Sequence, residues 1–259
     1  MRSNQFVTLS KNRGGLDADY QAVLDRADVQ GYTKPSTAQQ ALQSNIVKAL
    51  KSANIWDSLD CFYCFANDGS QQFAYLNWKA PSSNEISVVT SIGYDANVGF
   101  KGDGAGYLDT NFAPGTHAIQ GSQDSASIFL NLESNSGTQY LVSSTDRRPS
   151  WRGGSGQAEY RMNAQSNAGT ALNINQTGLN LMTRNSSSNI KYRDSVNNDE
   201  AISQTSASAA FNAELILLAL NSSNFASSGV QISFFGYGGD IHSSYADLNT
   251  ALSDYMSAI

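Results

Sequence analysis

The stretch "NVGFKGDGAGYLDTNFAP", residues 97–114, decides how the chain is read. Its four glycines and Asp103 interrupt two short strand-like runs, NVGF and GYLDT. A glycine-rich loop of this kind either cradles a phosphate or turns a corner between strands. The phosphate-binding form needs a strand before it and a helix after it. Here residues 107–110 continue as a strand, the chain turns at Ala113-Pro114-Gly115, and no Lys-Ser/Thr pair follows the glycines. They are turn glycines, and a mostly β fold is expected around them.

Working outward, the hydrophobic period changes twice along the chain. From Leu59 onward apolar residues alternate with polar ones. "LDCFYCFA", "FAYLNW", "EISVVTSIG", "SASIFLNLE", "TQYLVSST", "AEYRMNAQ", "TALNINQ", "GLNLMTRN", "NIKYRDSV", "AELILLAL" and "VQISFFGY" read as strands between Gly, Asn, Ser and Asp turns. Many short strands at such spacing point to a sandwich or barrel. The first part is helical instead: "DADYQAVLDRAD" puts Tyr20, Val23, Leu24 and Ala27 on one face. After Gly31 and Pro35, Ser36 and Gln39 form a capping-box pattern opening a second helix, striped by Leu42, Ile46, Ala49, Leu50, Ala53 and Trp56. The closing "SSYADLNTALSDYMSAI" is helical again, with Ser244 and Asp247 placed to cap it and Tyr245, Leu248, Leu252, Tyr255, Met256 and Ile259 on one side.

Composition narrows the function classes. Only 15 % of residues are charged and the net charge is −6, a field that repels nucleic acid and anionic membranes. No run approaches the roughly 20 apolar residues of a membrane span, and the N-terminus lacks a signal-peptide apolar segment, so folding in the cytoplasm is expected. The cysteines are Cys61 and Cys64. Zinc would need a second pair of ligands, and His117 and His242 are isolated. In a strand, residues three apart point to opposite faces, about 10 Å apart, too far for a disulfide. Two reduced, buried thiols are expected.

Several motifs carry a resemblance. "VGFKGDGAGYLDTNF", "GLNLMTRNSSSNIKYRDS" and "VQISFFGYGGDIHSSYADLNTALSDYM" resemble, in order, the opening strands, a later hairpin and the closing strand-plus-helix of laminin-G-like, concanavalin-like jelly rolls. In the hairpin Tyr192 and Asp194 match, while Ser195 replaces the usual glycine. Ile55-Trp56, Leu59, Tyr63, Ala66, Leu76-Asn77-Trp78, Gly99-Phe100 and residues 107–110 follow in the order seen in a group of bacteriophage virion proteins. The resemblance implies a concanavalin-like (laminin-G-like) β-sandwich jelly roll over residues 59–259, a helical lead-in over 17–58 packed on it, an extended arm over 1–16 and a short C-terminal helix. It implies a tail, collar or head-fibre structural component of a virion, assembled through the arm with other virion proteins and copies of itself. Calcium is a family possibility at Asp103 and Asp109, but a tight turn wants Asp103 in any case, and neither a metal nor another cofactor is expected.

The concanavalin-like fold hosts lectins, adhesion modules and glycosidases, so the site must decide. A glycosidase needs paired carboxylates, on a strand an E-x-D-x-E run, and none exists. Asp57 and Asp60 are three apart, and Asp199 and Glu200 lie in "VNNDEA"; all four read as solvated turn acids, and enzyme activity, including polysaccharide depolymerisation, is not expected. Sugar binding needs only an aromatic platform and a few polar groups. In "DRRPSWRGGSG" the candidates are Trp151 and Arg152, with Tyr160 beyond and Arg147 or Arg148 for an acidic glycan. The alternative is that Trp151 plugs the core or packs on a neighbouring subunit. A module gripping host-surface polysaccharide is thus the second expectation.

Overall fold

The alternating runs become two antiparallel sheets packed face to face, and the helical segments form a layer outside one of them. The computed structural model describes residues 15–135, 139–144, 149–153, 158–164, 168–170, 177–196, 198–207, 211–221, 224–226 and 229–259. Apart from Gly15 and Leu16, the arm expected over residues 1–16 lies outside the described residues; so do Arg147, Arg148 and most of the strand expected in "TALNINQ".

Helices α1 (Ala18–Gln30) and α2 (Thr37–Ser52) come first, followed by β1 (Leu59–Cys64), β2 (Ser87–Val89), β3 (Gly93–Asp95), β4 (Gly99–Lys101) and β5 (Tyr107–Asp109). A single turn, α3 (Pro114–His117), leads to β6 (Ala126–Asn135), β7 (Gln139–Ser144), β8 (Pro149–Gly153), β9 (Ala158–Met162) and β10 (Ala168–Thr170). Then come β11 (Gly178–Arg184), β12 (Asn189–Asp194), β13 (Asp199–Ser203), β14 (Leu215–Leu217), β15 (Ala219–Asn221), β16 (Asn224–Phe225), β17 (Val230–Gly238) and α4 (Tyr245–Ala258). The first sheet runs β13-β12-β11-β6-β17-β4-β3, with β1 also paired to β17; the second runs β10-β9-β8-β7-β14-β5-β2. Among the described residues no helix is long and apolar enough to cross a membrane.

The glycine-rich stretch turns a corner between these sheets. β4 belongs to the first and β5 to the second, so residues 102–106 carry the chain across the sandwich edge, and the β2–β3 connection does the same beside it. Asp103 Oδ1 accepts the Ala105 and Gly106 N–H groups at 2.8 and 3.0 Å, and its Oδ2 accepts from Ser91 Oγ on the neighbouring crossover at 3.1 Å. The two crossovers touch backbone to backbone: a methyl on Gly106 would lie 1.8 Å from the Ser91 carbonyl oxygen.

Strand β1 shows how the layers are built. Cys61 and Tyr63 point into the core between the sheets, while Phe62 and Cys64 point into a second core under the helices. The two thiols are therefore on opposite faces, as the spacing requires, and burial pushes both thiol pKa values up. Against the outer face of the first sheet pack Tyr20, Val23, Leu24 and Ala27 of α1, Ile46, Val47 and Leu50 of α2, and Leu248, Leu252 and Tyr255 of α4. Between the helices a buried chain of hydrogen bonds runs from Tyr20 OH to Gln43 Oε1 (2.6 Å), from Gln43 Nε2 to Tyr255 OH (2.9 Å) and on to the Ala66 carbonyl (2.6 Å).

Some local expectations change. The buried face of α2 includes Gln39, Gln43, Ser44 and Val47, and of the expected stripe Ala49 is exposed while Ala53 packs half-buried against the core, because Gln43 is needed inward by the two tyrosines. Ser36 Oγ does accept the Gln39 N–H at 3.3 Å, but the Gln39 side chain donates to Asn97 Oδ1 and accepts from the Asp68 N–H instead of closing the capping box. "FAYLNW" is no strand but a 3-10 turn at Phe73–Tyr75, after which the Trp78 N–H meets the Phe62 carbonyl. "AELILLAL" breaks at Leu218, whose φ is +63°. Ser244 stands at the N-cap position of α4 without a side-chain cap bond.

The two cores hold many phenols, and burial raises the pKa of Tyr20, Tyr63, Tyr160, Tyr192, Tyr237 and Tyr255. At Tyr32, burial and the neighbouring Glu85 raise it to about 12. A group whose folded pKa is raised contributes stability that is complete below its unfolded pKa, here about 10, and is lost as pH rises above it. Phenolate absorbance is therefore expected to appear late and in one step with unfolding. A smooth titration centred near pH 10, with circular dichroism unchanged, would contradict this assignment of buried phenols.

Candidate functional site

The aromatic platform expected around Trp151 is not at the surface. Trp151 on β8 and Tyr160 on β9 are both 0 % exposed, and both face the core between the sheets, edge-on and tilted against Tyr192 of β12. The period of two explains it: Trp151 and Tyr160 point inward, so Arg152 and Arg161 point outward. Arg152 remains near the surface, its guanidinium 5.3 Å above the Tyr140 ring. A ring without exposed face cannot stack on a sugar, so Trp151 and Tyr160 are core residues.

Asp103 is occupied with turn N–H groups, as described above. Asp109 Oδ1 accepts the Asn111 N–H at 2.9 Å, and burial raises its pKa. Among the described residues no group of three or more His, Cys, Asp or Glu is placed to hold a metal ion.

A different site forms at the end of the sandwich where β1 begins. Leu59 pairs with Gly238 and Cys61 with Tyr237, so Asp60 is the extra residue of a β-bulge. A bulge re-aims its side chain. The Asp60 carboxylate turns to the segment after α3, where Oδ1 accepts the Ile119 and Gln120 N–H groups at 2.8 Å each and Oδ2 accepts the Gly121 N–H at 2.7 Å. This is not the solvated turn acid the sequence led us to expect. Asp199 likewise begins β13, and its Oδ1 meets His242 Nε2 at 3.0 Å.

Beside the bulge lies a pocket of about 470 Å³, within the range of about 300–1,000 Å³ usual for ligand sites. Leu59, Phe112 and Ala80 give it an apolar wall, and Asp57, Asp60, Lys79, Asn84 and His117 line the rest with Ile119 and Gln120. Lys79 reaches it from the turn after Trp78; its ammonium donates to the Trp56 carbonyl at 2.7 Å and lies 4.5 Å over the Trp56 ring. Burial lowers the Lys79 pKa, while Asp57, Asp19 and Asp60 pull it back up. His117 Nδ1 accepts the Ala113 N–H at 2.9 Å and faces Asn84 Nδ2 at 3.3 Å. That arrangement assigns the proton to Nε2, leaving an N–H donor for a ligand. Asn84 is held in a left-handed conformation (φ +55°), with its amide donating to the Asn111 carbonyl. On the rim, Ile119 is 87 % exposed although the backbone beneath it is pinned by Asp60.

No protein-family model matches the chain, and no curated protein sequence does. Solved structures do match. The receptor binding domain of the botulinum neurotoxin C/D mosaic serotype aligns over 75 % of this chain and 51 % of its own, at 10 % identity and a TM-score of 0.54. The binding domain of botulinum neurotoxin DC in complex with rat synaptotagmin II aligns over 78 % and 52 %, at 13 % identity and 0.50. A Trypanosoma rangeli sialidase in complex with a difluoro-KDN sugar analogue aligns over 83 % and 39 %, at 10 % identity and 0.50. The likeness is one of fold. It makes this chain a β-sandwich jelly roll, and the chain spans about half the length of the neurotoxin domains that it matches.

Proposed function

We propose that this chain is a carbohydrate-binding β-sandwich module that holds a glycan without cleaving it. The observation that carries this reading is the pocket beside the Asp60 bulge, where an apolar wall meets groups that both donate and accept hydrogen bonds. A sugar presents just such a mixture, with apolar C–H faces and a rim of hydroxyls. The fold is consistent with it, since the structural neighbours include receptor-binding domains and a sialidase holding a sugar analogue. Turnover is not favoured: a glycosidase needs two working carboxylates. Of the two at this pocket, Asp60 is engaged by three backbone N–H groups.

A second, compatible reading is a bacteriophage virion component, on tail, collar or head fibre, assembled with copies of itself and other virion proteins through residues 1–16. It rests on the series of motifs shared with phage virion proteins. Trp56, Leu59 and Trp78 of that series are buried under the helices, and Tyr63, Phe100 and Leu108 between the sheets, so the series speaks for the fold more directly than for a place on a particle.

Glycan-array binding and light scattering on one purified sample test both readings. Selective binding to a glycan class, with no reducing ends released, is expected. An array with no binding would end the carbohydrate reading. A stable oligomer that loses assembly when residues 1–16 are removed would then leave the structural reading standing.

A further inference from the structure

The pocket at the Asp60 bulge has a charge pattern that goes beyond sugar binding in general. Asp57 is exposed, and no described residue donates a hydrogen bond to its carboxylate, so it is the free acceptor of the site. Lys79 is the cation, and it is already committed to the Trp56 carbonyl and ring. His117 is neutral in the arrangement seen, since its Nδ1 accepts from the Ala113 N–H. A ligand carboxylate entering here would meet two aspartates and one engaged ammonium. Like charges repel at such close range, and the engaged ammonium is poorly placed to offset both carboxylates.

Ile119 adds a separate observation. Among the described residues it is the most exposed of the large apolar side chains, at 87 %, against 76 % for Val29, 51 % for Val196 and 37 % for Ile259. A single exposed apolar residue is common and means little by itself. Here the carboxylate of a bulge residue fixes the backbone N–H groups of Ile119, Gln120 and Gly121, so the isoleucine is held over the pocket rim. Such a side chain is placed to cover the C–H face of a ring seated below it.

We propose that this pocket takes the uncharged terminal residue of a glycan and excludes sialylated or uronate-terminated ones. Its hydroxyls donate to Asp57 and accept from His117 Nε2 and Lys79, and its apolar face lies under Ile119. The proposal rests on the carbohydrate-binding reading and sharpens it to one class of ligand.

The test measures wild-type binding to oligosaccharides ending in glucose, galactose or mannose and to sialic-acid- and uronate-ended counterparts, by array and then by titration calorimetry. The neutral set is expected to bind and the acidic set to bind at least ten-fold more weakly. Asp57→Ala and Ile119→Ser should each weaken neutral binding on the order of ten-fold, the equivalent of about 1.4 kcal/mol. Val29→Ser on α1 should change nothing. Both site residues are exposed, so the variants should keep the wild-type circular dichroism. Asp57→Lys should raise affinity for the acidic set by reversing the local charge. A wild-type preference for acidic glycans would overturn the proposal while leaving the carbohydrate reading intact. So would neutral binding that ignores Asp57 and Ile119. No binding to either set would overturn both.

Discussion

Alanine at Gly99 is expected to destabilise the protein by about 3 kcal/mol or more, from backbone strain and overpacking together. Gly99 opens β4 with φ at +118°, a conformation that a residue with a Cβ rarely adopts, and the added carbon would lie 2.1 Å from the Ile232 carbonyl oxygen on β17. Neither problem has a cheap escape, since Ile232 is fixed between β4 and β6 in the middle of the first sheet. Gly106→Ala should be about as damaging for a different reason, its Cβ landing 1.8 Å from Ser91 on the adjacent crossover. Gly104 supplies the control. Its φ is +78°, but nothing lies within 4 Å of where a Cβ would go, so Gly104→Ala should cost only about 1 kcal/mol of left-handed strain. Urea unfolding of the three variants measures this directly. Equal losses at positions 99 and 104 would mean that backbone contact at the corner contributes nothing.

That series separates what was legible in the sequence from what was not. The glycines, the strand beyond them and the missing Lys-Ser/Thr pair sufficed to read a corner, because turn chemistry is local. The opposite facing of Cys61 and Cys64 was legible for the same reason: a strand alternates whatever it packs against. The partners of the corner were not legible, since Ser91 reaches it from the neighbouring crossover between the sheets and Ile232 through the pairing of β17 with β4, both distant in sequence. The failure at Trp151 has the same root. Pro149, the arginines and the glycines around it look like loop composition, and only pairing with Tyr140–Val142 on one side and Tyr160 on the other shows a strand with its tryptophan turned inward.

The pocket was hidden more deeply. Its residues come from a 3-10 turn, a bulge, a turn and a single helical turn, scattered from Asp57 to Gln120. The bulge at Asp60 has no pattern of its own. A hint remains in "LDCFYC", where strict alternation would send Leu59 and Cys61 to the same face, yet they enter different cores. An extra residue must lie between them, and it is the aspartate.

Arg184 carries the second large effect, at the opposite edge of the sandwich. It ends β11 at 0 % exposure, and its guanidinium donates to the Met162 carbonyl (2.7 Å), the Ser186 carbonyl (3.0 Å), the Gln204 carbonyl (2.9 Å) and Gln204 Oε1 (2.9 Å). Gln204 in turn donates to the Tyr160 carbonyl at 2.8 Å, so one side chain joins β9 of the second sheet to β11 and the end of β13 in the first. Among the described residues no carboxylate forms an ion pair with it, and burial lowers its pKa, with Asp124 opposing. The charge is held by carbonyl dipoles that only a planar fork can reach together. Arg184→Met should therefore cost about 3 kcal/mol, because at least two buried carbonyls lose their donor at about 1–3 kcal/mol each. Arg184→Lys should be no better and is expected to be worse. It keeps a buried charge while losing most of the hydrogen bonds that compensate it. A lysine variant as stable as the wild type would show that the site needs only a positive charge, and the two sheets would then be held at this edge by packing alone.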